Sequence, residues 1–532
     1  MAVKEFLGAD NFPSQFHTIL LLSPRDDAKL LLLSLIVEFL EVKENMSSKN
    51  LPNLTEVAPG VYFRMGNMDR GQCNGGFIVC DDYTIAVDAP NPEASAEMFE
   101  EAEQLSDKPV RFLIITHSHW DHDGGVDAFI EKGVTVLCSE KLRRRYIESG
   151  KAGSFVGVPD RLVLTDNGRT IELFTSGTVH SITDVFTFLP KEGVLFTGDS
   201  VVNEHRPYMG DCDFQNWIDT LKALDKLGAK TVCVGHGPLA GGEVLLKLAG
   251  YFTDLRDAVG YQISQGRTLE TAIKEANVPS RKEWLAEGKD FSDHVEAVYT
   301  QFTAELPELE PSMIPHALVL IGDYYHPPAY IPPSLEPVFE ELGMPARFIY
   351  DVTKLNARNL RNVRLLVILR DGMNWPEPGG ERVFWMTEEQ EKTIDEFVRN
   401  GGGFLALHNA TALKRLDDGS TIYRNVLGSS YNGHGPGDEK FKVRVVKDHP
   451  ITAGVEEYPA VDERHTPIIH ADDITILLEA VSGDQTSVNG YVRNYGKGRI
   501  CHLANGHNLK VLQNPQMQKL MTNAVLWCCG MT

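Results

Sequence analysis

Basic residues are in short supply: 51 Lys and Arg stand against 74 Asp and Glu in 532 residues, a formal charge of −23. Nucleic-acid binding draws on clustered Lys and Arg, so this balance excludes such a partner and leaves small-molecule substrates. Cysteine is sparse as well. The eight present (Cys73, Cys80, Cys138, Cys212, Cys233, Cys501, Cys528, Cys529) form no Cys-x-x-Cys pair, which argues against a disulfide framework. Long apolar runs are missing: the strongest, residues 30–40, is broken by Ser34 and Glu38 and falls short of the roughly 20 residues a spanning helix needs. That run also lacks the basic flank of a secretory signal, and acidic residues follow it. The triplets at Asn53 and Asn409 fit a glycosylation pattern that is common by chance. The expected setting is therefore cytoplasmic, with no membrane association and with homo-oligomerisation left open.

What is present is enough chain for two or three cores. Residues 1–50 read as an extension outside the fold, carrying a peripheral helix over 30–40. Regular strand and turn patterning begins after Met46, and the acidic, proline-bearing segment 306–311 divides a first domain (51–310) from a second (311–532).

The first domain is organised around Thr116-His117-Ser118-His119-Trp120-Asp121-His122-Asp123-Gly124-Gly125. This stretch leaves the β-branched strand 110–115, and on an extended backbone residues two apart point the same way. His117 and His119 can thus face one cation while the turn brings Asp121 and His122 to a second. An isolated histidine at a strand end is usually a hydrogen-bonded structural residue. Four ligand-type side chains within six residues are another matter, because without a metal they would compete for partners at a buried edge. Further along, His180, Asp199 and His236 each fall just before or after a short strand. Helices are expected over 93–105, around 126–132 and over 214–227, and Asn167-Gly168 marks a hairpin between strands 161–164 and 170–174.

The motif order His117-x-His119-x-Asp121-His122, His180, Asp199, His236 resembles the metallo-β-lactamase fold superfamily. The resemblance implies an αββα sandwich with metals along one edge. Carried over, His117, His119 and His180 would bind one metal, Asp121, His122 and His236 the other, and Asp199 would bridge them. The donors suit two divalent ions, zinc first, with iron or manganese left open. A bridging aspartate resembles the glyoxalase II, lactonase and phosphodiesterase branches, and Asp211-Cys212-Asp213 with Trp217-Ile218 is similar to SoxH-like and quinoprotein-relay-like hydrolases. The implied activity is hydrolysis of an ester, lactone, thioester or amide, with Asp121 and Asp199 as catalytic residues. A mononuclear iron oxygenase and a non-catalytic assembly protein are the alternatives. Asn203, His205 and Tyr208 are candidates for substrate contact or plain loop structure, and Cys212 reads as a plain thiol.

In the second domain, short apolar runs at 317–321, 347–350, 365–369 and 404–407 alternate with helical stretches such as 388–399, implying a doubly wound parallel sheet. Gly401-Gly402-Gly403 through Ala410, His449-Pro450-Ile451-Thr452, Asp462-Glu463 and Gly506-His507 resemble the ThuA-like (trehalose-utilisation) family, which implies a class I glutamine-amidotransferase-like fold. Where amidotransferases carry a nucleophilic cysteine, this turn offers His408, so thiol chemistry of that type is absent. His408, Asp462, Glu463 and His507 are candidates to line a carbohydrate pocket at the strand ends. Their spacing suggests no metal, and a purely structural role is the competing reading.

Overall fold

The structure is a computed structural model that describes residues 51–285, 290–413 and 422–532. The expected extension and its helix over 30–40 lie outside those residues.

Two sheets face each other in the first half. One runs β1 (Leu54–Ala58), β2 (Val61–Arg64), β3 (Gly75–Val79), β4 (Thr84–Val87), β5 (Val110–Ile114), β6 (Thr135–Ser139) and β7 (Phe155–Val158), in that spatial order. It is antiparallel up to β4 and parallel from β4 to β7. The other places β8 (Arg161–Asp166), β9 (Arg169–Phe174), β10 (Phe186–Leu189), β11 (Val194–Val202), β12 (Thr231–His236) and β13 (Ala240–Gly241) side by side.

Alternation along the strands sorts side chains between layers. Ile78, Ile85, Val87 and Ile114 point inward to meet Ile171, Leu173, Val194 and Phe196 of the second sheet. Phe77, Ala86, Leu113 and Ile115 point outward onto the helices Pro92–Leu105 and Val126–Glu131. Helices Phe214–Asp225, Glu243–Ser264 and Ser292–Thr303 cover the far face, completing the αββα sandwich. The β8–β9 hairpin pairs Asp166 with Arg169, so Asn167-Gly168 is its two-residue turn. Both turn residues have positive φ (41° and 83°), as that kind of turn demands.

The second half holds one nine-stranded sheet. Its parallel part runs Ala346–Ile349, Ala317–Ile321, Leu365–Leu369, Gly403–Leu407, Gly498–Leu503. The sheet then continues through Gln485–Tyr495, Thr475–Ser482, Glu439–Val445 and Tyr458–Asp462, all antiparallel to their neighbours. The parallel core matches the doubly wound expectation; the antiparallel extension is an addition to it. In Glu439–Val445, Phe441 and Val443 are buried while Lys440, Lys442 and Arg444 are exposed, the one-sided pattern of a sheet with one wet face.

The boundary near 310 is not an empty linker in space. The helix Glu243–Ser264 and the strand Ala317–Ile321 contribute to one continuous apolar core. Phe302 stacks on Tyr350 with ring centroids 5.1 Å apart, and Gly260 lies so close to the Tyr350 ring that a Cβ would sit 2.9 Å from it. Arg256, buried in that helix, bonds Asp257 at 3.0 Å and Glu336 of the second half at 3.3 Å.

Candidate metal centre

Strand ends converge at one edge of the sandwich. β5 runs into Thr116 and the motif, β11 carries Asp199, and β12 ends in His236. The turn before β10 delivers His180, anchored by Asp184, whose carboxylate accepts from the amides of Val179 and Ser181 at 3.1 and 2.8 Å. Two glycines allow the approach: Gly198 has φ +52° and a Cβ there would lie 2.5 Å from Thr116 Oγ1, while one on Gly235 would lie 2.0 Å from Asp199 Oδ1. Asn74 ties the sheets together at this edge, donating to the carbonyls of Val234 and Gly237 at 2.9 and 2.8 Å.

The motif's polar atoms form two groups that share Asp199: His117, His119, His180 with Asp199, and Asp121, His122, His236 with Asp199. In the first, His119 Nδ1 is 3.0 Å from both His117 Nε2 and His180 Nε2. In the second, His236 Nε2 is 3.1 Å from Asp121 Oδ2 and 3.2 Å from Asp199 Oδ2. His122 Nε2 and Asp199 Oδ1 are 3.0 Å apart and buried, yet neither finds a hydrogen-bond partner. Atoms of this kind, aimed at a common point and not at each other, are what a cation held by all of them would satisfy. The donor set fits a divalent metal.

Supporting carboxylates set the tautomers. Asp88 takes the Nδ1 proton of His122 at 2.9 Å and also accepts from the Thr116 amide and hydroxyl at 2.8 and 2.9 Å. Asp211 sits 2.9 Å from His119 Nε2, leaving Nδ1 free to face the group. Neither carboxylate is marked by the motif itself; the signal available is that every ligating histidine needs an acceptor for its other nitrogen, and Asp88 directly follows a strand beside the motif.

Burial and charge divide the histidines. Burial holds His117 well below its ordinary value and brings His180 down to about 4, so both are neutral donors. Burial acts on His236 too, but Asp199 and Asp121 outweigh it and lift the ring to about 9; Asp199 and Asp88 likewise raise buried His122. Asp199 is held well below the carboxylate range, because His122 and His236 overcome its burial. A bound cation would replace the protons on those two rings.

Over the site opens a cleft of about 340 Å³ lined by His119, Asp121, Asp199, His205, Tyr208 and His236, among others. His205 stacks on His236 with centroids 5.1 Å apart, and the exposed Tyr208 ring lies 5.6 Å from that of His119. Asn203 does not line it. Its side chain donates to the Pro238 carbonyl at 3.1 Å and its amide to His236 O at 3.0 Å, so it fastens the β12 turn. Cys212 is a half-buried thiol donating to the Met209 carbonyl, pushed up to about 11 by burial.

In the second half, His408, Glu463 and His507 meet at the carboxyl ends of the parallel strands, joined by His326, which the sequence reading did not single out. Asp462 is fully buried and accepts from the amides of Gly506 and His507 at 2.9 and 3.0 Å, holding the turn that presents His507.

Two family models match the chain: the metallo-beta-lactamase superfamily over residues 68–236 and ThuA, trehalose utilisation, over residues 317–528. The chain joins a metallo-β-lactamase domain to a ThuA domain. The metallo-β-lactamase domain is 26% identical over 208 residues to the lactamase-like protein nscB of Arthroderma benhamiae, a match covering 38% of this chain and 44% of that one. It is 27% identical over 182 residues to the metallo-beta-lactamase type 2 of Bacteroides fragilis, covering 32% of this chain and 72% of that one. A solved metallo-beta-lactamase from Pontibacter korlensis aligns at 22% identity and a TM-score of 0.35, over 37% of this chain and 97% of its own. The first of these relatives is thus matched over less than half its length. The superfamily implies divalent metal binding in the first domain, and the ThuA domain carries the glutamine-amidotransferase-like sheet. Among the described residues no helix is long and apolar enough to cross a membrane.

Proposed function

We propose that the metallo-β-lactamase domain is a binuclear metal-dependent hydrolase acting on an ester, lactone, thioester or amide of a small molecule, and that the ThuA domain binds carbohydrate. The observation that carries the first reading is the pair of ligand groups sharing Asp199. His117, His119 and His180 would hold one divalent ion and Asp121, His122 and His236 the other, with Asp199 common to both groups, and zinc best matches these nitrogen and carboxylate donors. Such ions supply Lewis acidity and draw a nucleophile from water near neutral pH.

The chain's own residues then place the reactants. Asp121 lines the cleft with Oδ2 3.1 Å from His236 Nε2, which positions it to take or return a proton. Tyr208, on the open side, presents a hydroxyl to the leaving group, and His205 closes the wall beside His236. For the ThuA domain, the family's description supports carbohydrate, as do the exposed rings of Tyr324 and Tyr325 packed on Trp375 beside His326.

Metal content and turnover of lactones, thioesters, amides and esters are the test. Asp199→Ala takes a ligand from both groups and should cut turnover at least about a hundredfold while circular dichroism stays unchanged. Near wild-type turnover in that variant defeats the reading; a single iron per chain with oxygen uptake replaces hydrolysis by oxygenation.

A further inference from the structure

The ThuA domain gathers residues that are far apart in sequence. His326 follows the strand Ala317–Ile321, His408 follows Gly403–Leu407, Glu463 follows Tyr458–Asp462 and His507 follows Gly498–Leu503. Three of these are carboxyl ends of parallel strands, where open α/β sheets receive ligands.

Their polar atoms are aimed inward by bonds made on the outside. His408 Nδ1 donates to the Ala504 carbonyl at 2.7 Å, so Nε2 carries the lone pair. That Nε2 is fully buried and has no hydrogen-bond partner. His326 Nδ1 lies 2.8 Å from Asp323 Oδ1 and 2.7 Å from Asn409 Nδ2, which fixes the ring and turns Nε2 to within 3.1 Å of His507 Nδ1. Glu463 Oε2 lies 3.6 Å from His408 Nε2 and 3.5 Å from His507 Nδ1. These separations exceed a good charge-assisted hydrogen bond, about 2.7–2.9 Å. They approximate the edge of a tetrahedron whose corners lie about 2.1 Å from a central ion, about 3.4 Å. His408 itself is held at φ +47°, a left-handed backbone costly for a non-glycine residue, and that conformation swings its ring into the group.

We propose that His326, His408, Glu463 and His507 form a second metal centre, which holds one divalent transition-metal ion in the ThuA domain independently of the hydrolase centre. Three imidazoles and one carboxylate suit zinc, ferrous iron or manganese over calcium or magnesium. The supporting shell is of the same kind as at the first centre. Asp323 orients His326, a backbone carbonyl orients His408, and Asp462 fixes the turn bearing His507. His507 and Glu463 are only half-buried, so the ion has an approach from solvent.

The test uses the full-length protein with the first centre disabled by His119→Ala, Asp199→Ala and His236→Ala, which leaves neither ligand group with three donors, stripped with chelator and reloaded with zinc alone or cobalt(II) alone. After dialysis this variant should retain one metal per chain by elemental analysis, and with cobalt should show the visible absorption of a nitrogen-ligated ion. Adding His507→Asn should abolish the retained metal, and adding Glu463→Gln, which keeps the side-chain shape, should weaken zinc affinity at least about tenfold. Retention of no metal by the variant with the first centre disabled, or retention unchanged by both further substitutions, overturns the proposal. Because the first centre is already disabled, the result does not depend on whether the hydrolase reading holds.

Discussion

Replacing Asp88 by asparagine tests the architecture behind the first centre without touching a proposed ligand. Asp88 is buried and accepts three hydrogen bonds: from the Thr116 amide at 2.8 Å, the Thr116 hydroxyl at 2.9 Å and His122 Nδ1 at 2.9 Å. Asparagine keeps one oxygen, which serves the amide, and turns an NH2 toward the other two. The hydroxyl can rotate to accept. The imidazole must move its proton from Nδ1 to Nε2, the atom aimed at Asp199 Oδ1. His122 then offers no lone pair to a cation. Loss of such a supporting partner costs about 10–100-fold in metal affinity, or about 1.4–2.8 kcal/mol, and the penalty should fall on the ion held by Asp121, His122 and His236 alone. The metal-free protein keeps three neutral hydrogen bonds in place of charge-assisted ones, which are roughly twice as strong. Competition with a chromophoric chelator, on a His507→Asn background that removes the ThuA-domain group, resolves the two binding steps. Equal weakening of both steps, or wild-type affinity in both, would refute this account of Asp88.

The joint between the domains gives another prediction. Tyr350→Ala empties a space bounded by Phe302 and Gly260, and should destabilise the protein by about 3–5 kcal/mol in chemical denaturation; a loss below 1 kcal/mol means the contact is not formed. For the thiols, burial pushes Cys80 and Cys212 up to about 11 and Cys73 and Cys138 up to about 12. The native protein at pH 8 should therefore react slowly with a thiol reagent, and all eight cysteines only after denaturation. Rapid stoichiometric labelling would contradict that.

The first centre was legible because its chemistry is compressed into a few consecutive residues, and a strand followed by a turn is enough to sort His117 and His119 from Asp121 and His122. The second was not, since His326 and His507 are 181 positions apart and only the completed sheet brings them within 3.1 Å. Single histidines at separate strand ends carry no spacing to read. For Asn203 nearness in sequence to Asp199 left substrate contact and loop structure both open, and its bonds to Pro238 O and His236 O match the loop reading. The antiparallel extension was written in the alternation of Phe441, Val443 and their lysine neighbours. The contact between domains was hidden in the helix Glu243–Ser264, whose apolar residues wrap too far round for one face.

That helix acts as a beam common to two rooms. With Arg256 bonded to Glu336 and Gly260 pressed on Tyr350, the two domains meet through packed side chains. A change of shape in that helix is therefore felt on both sides of the shared core at once.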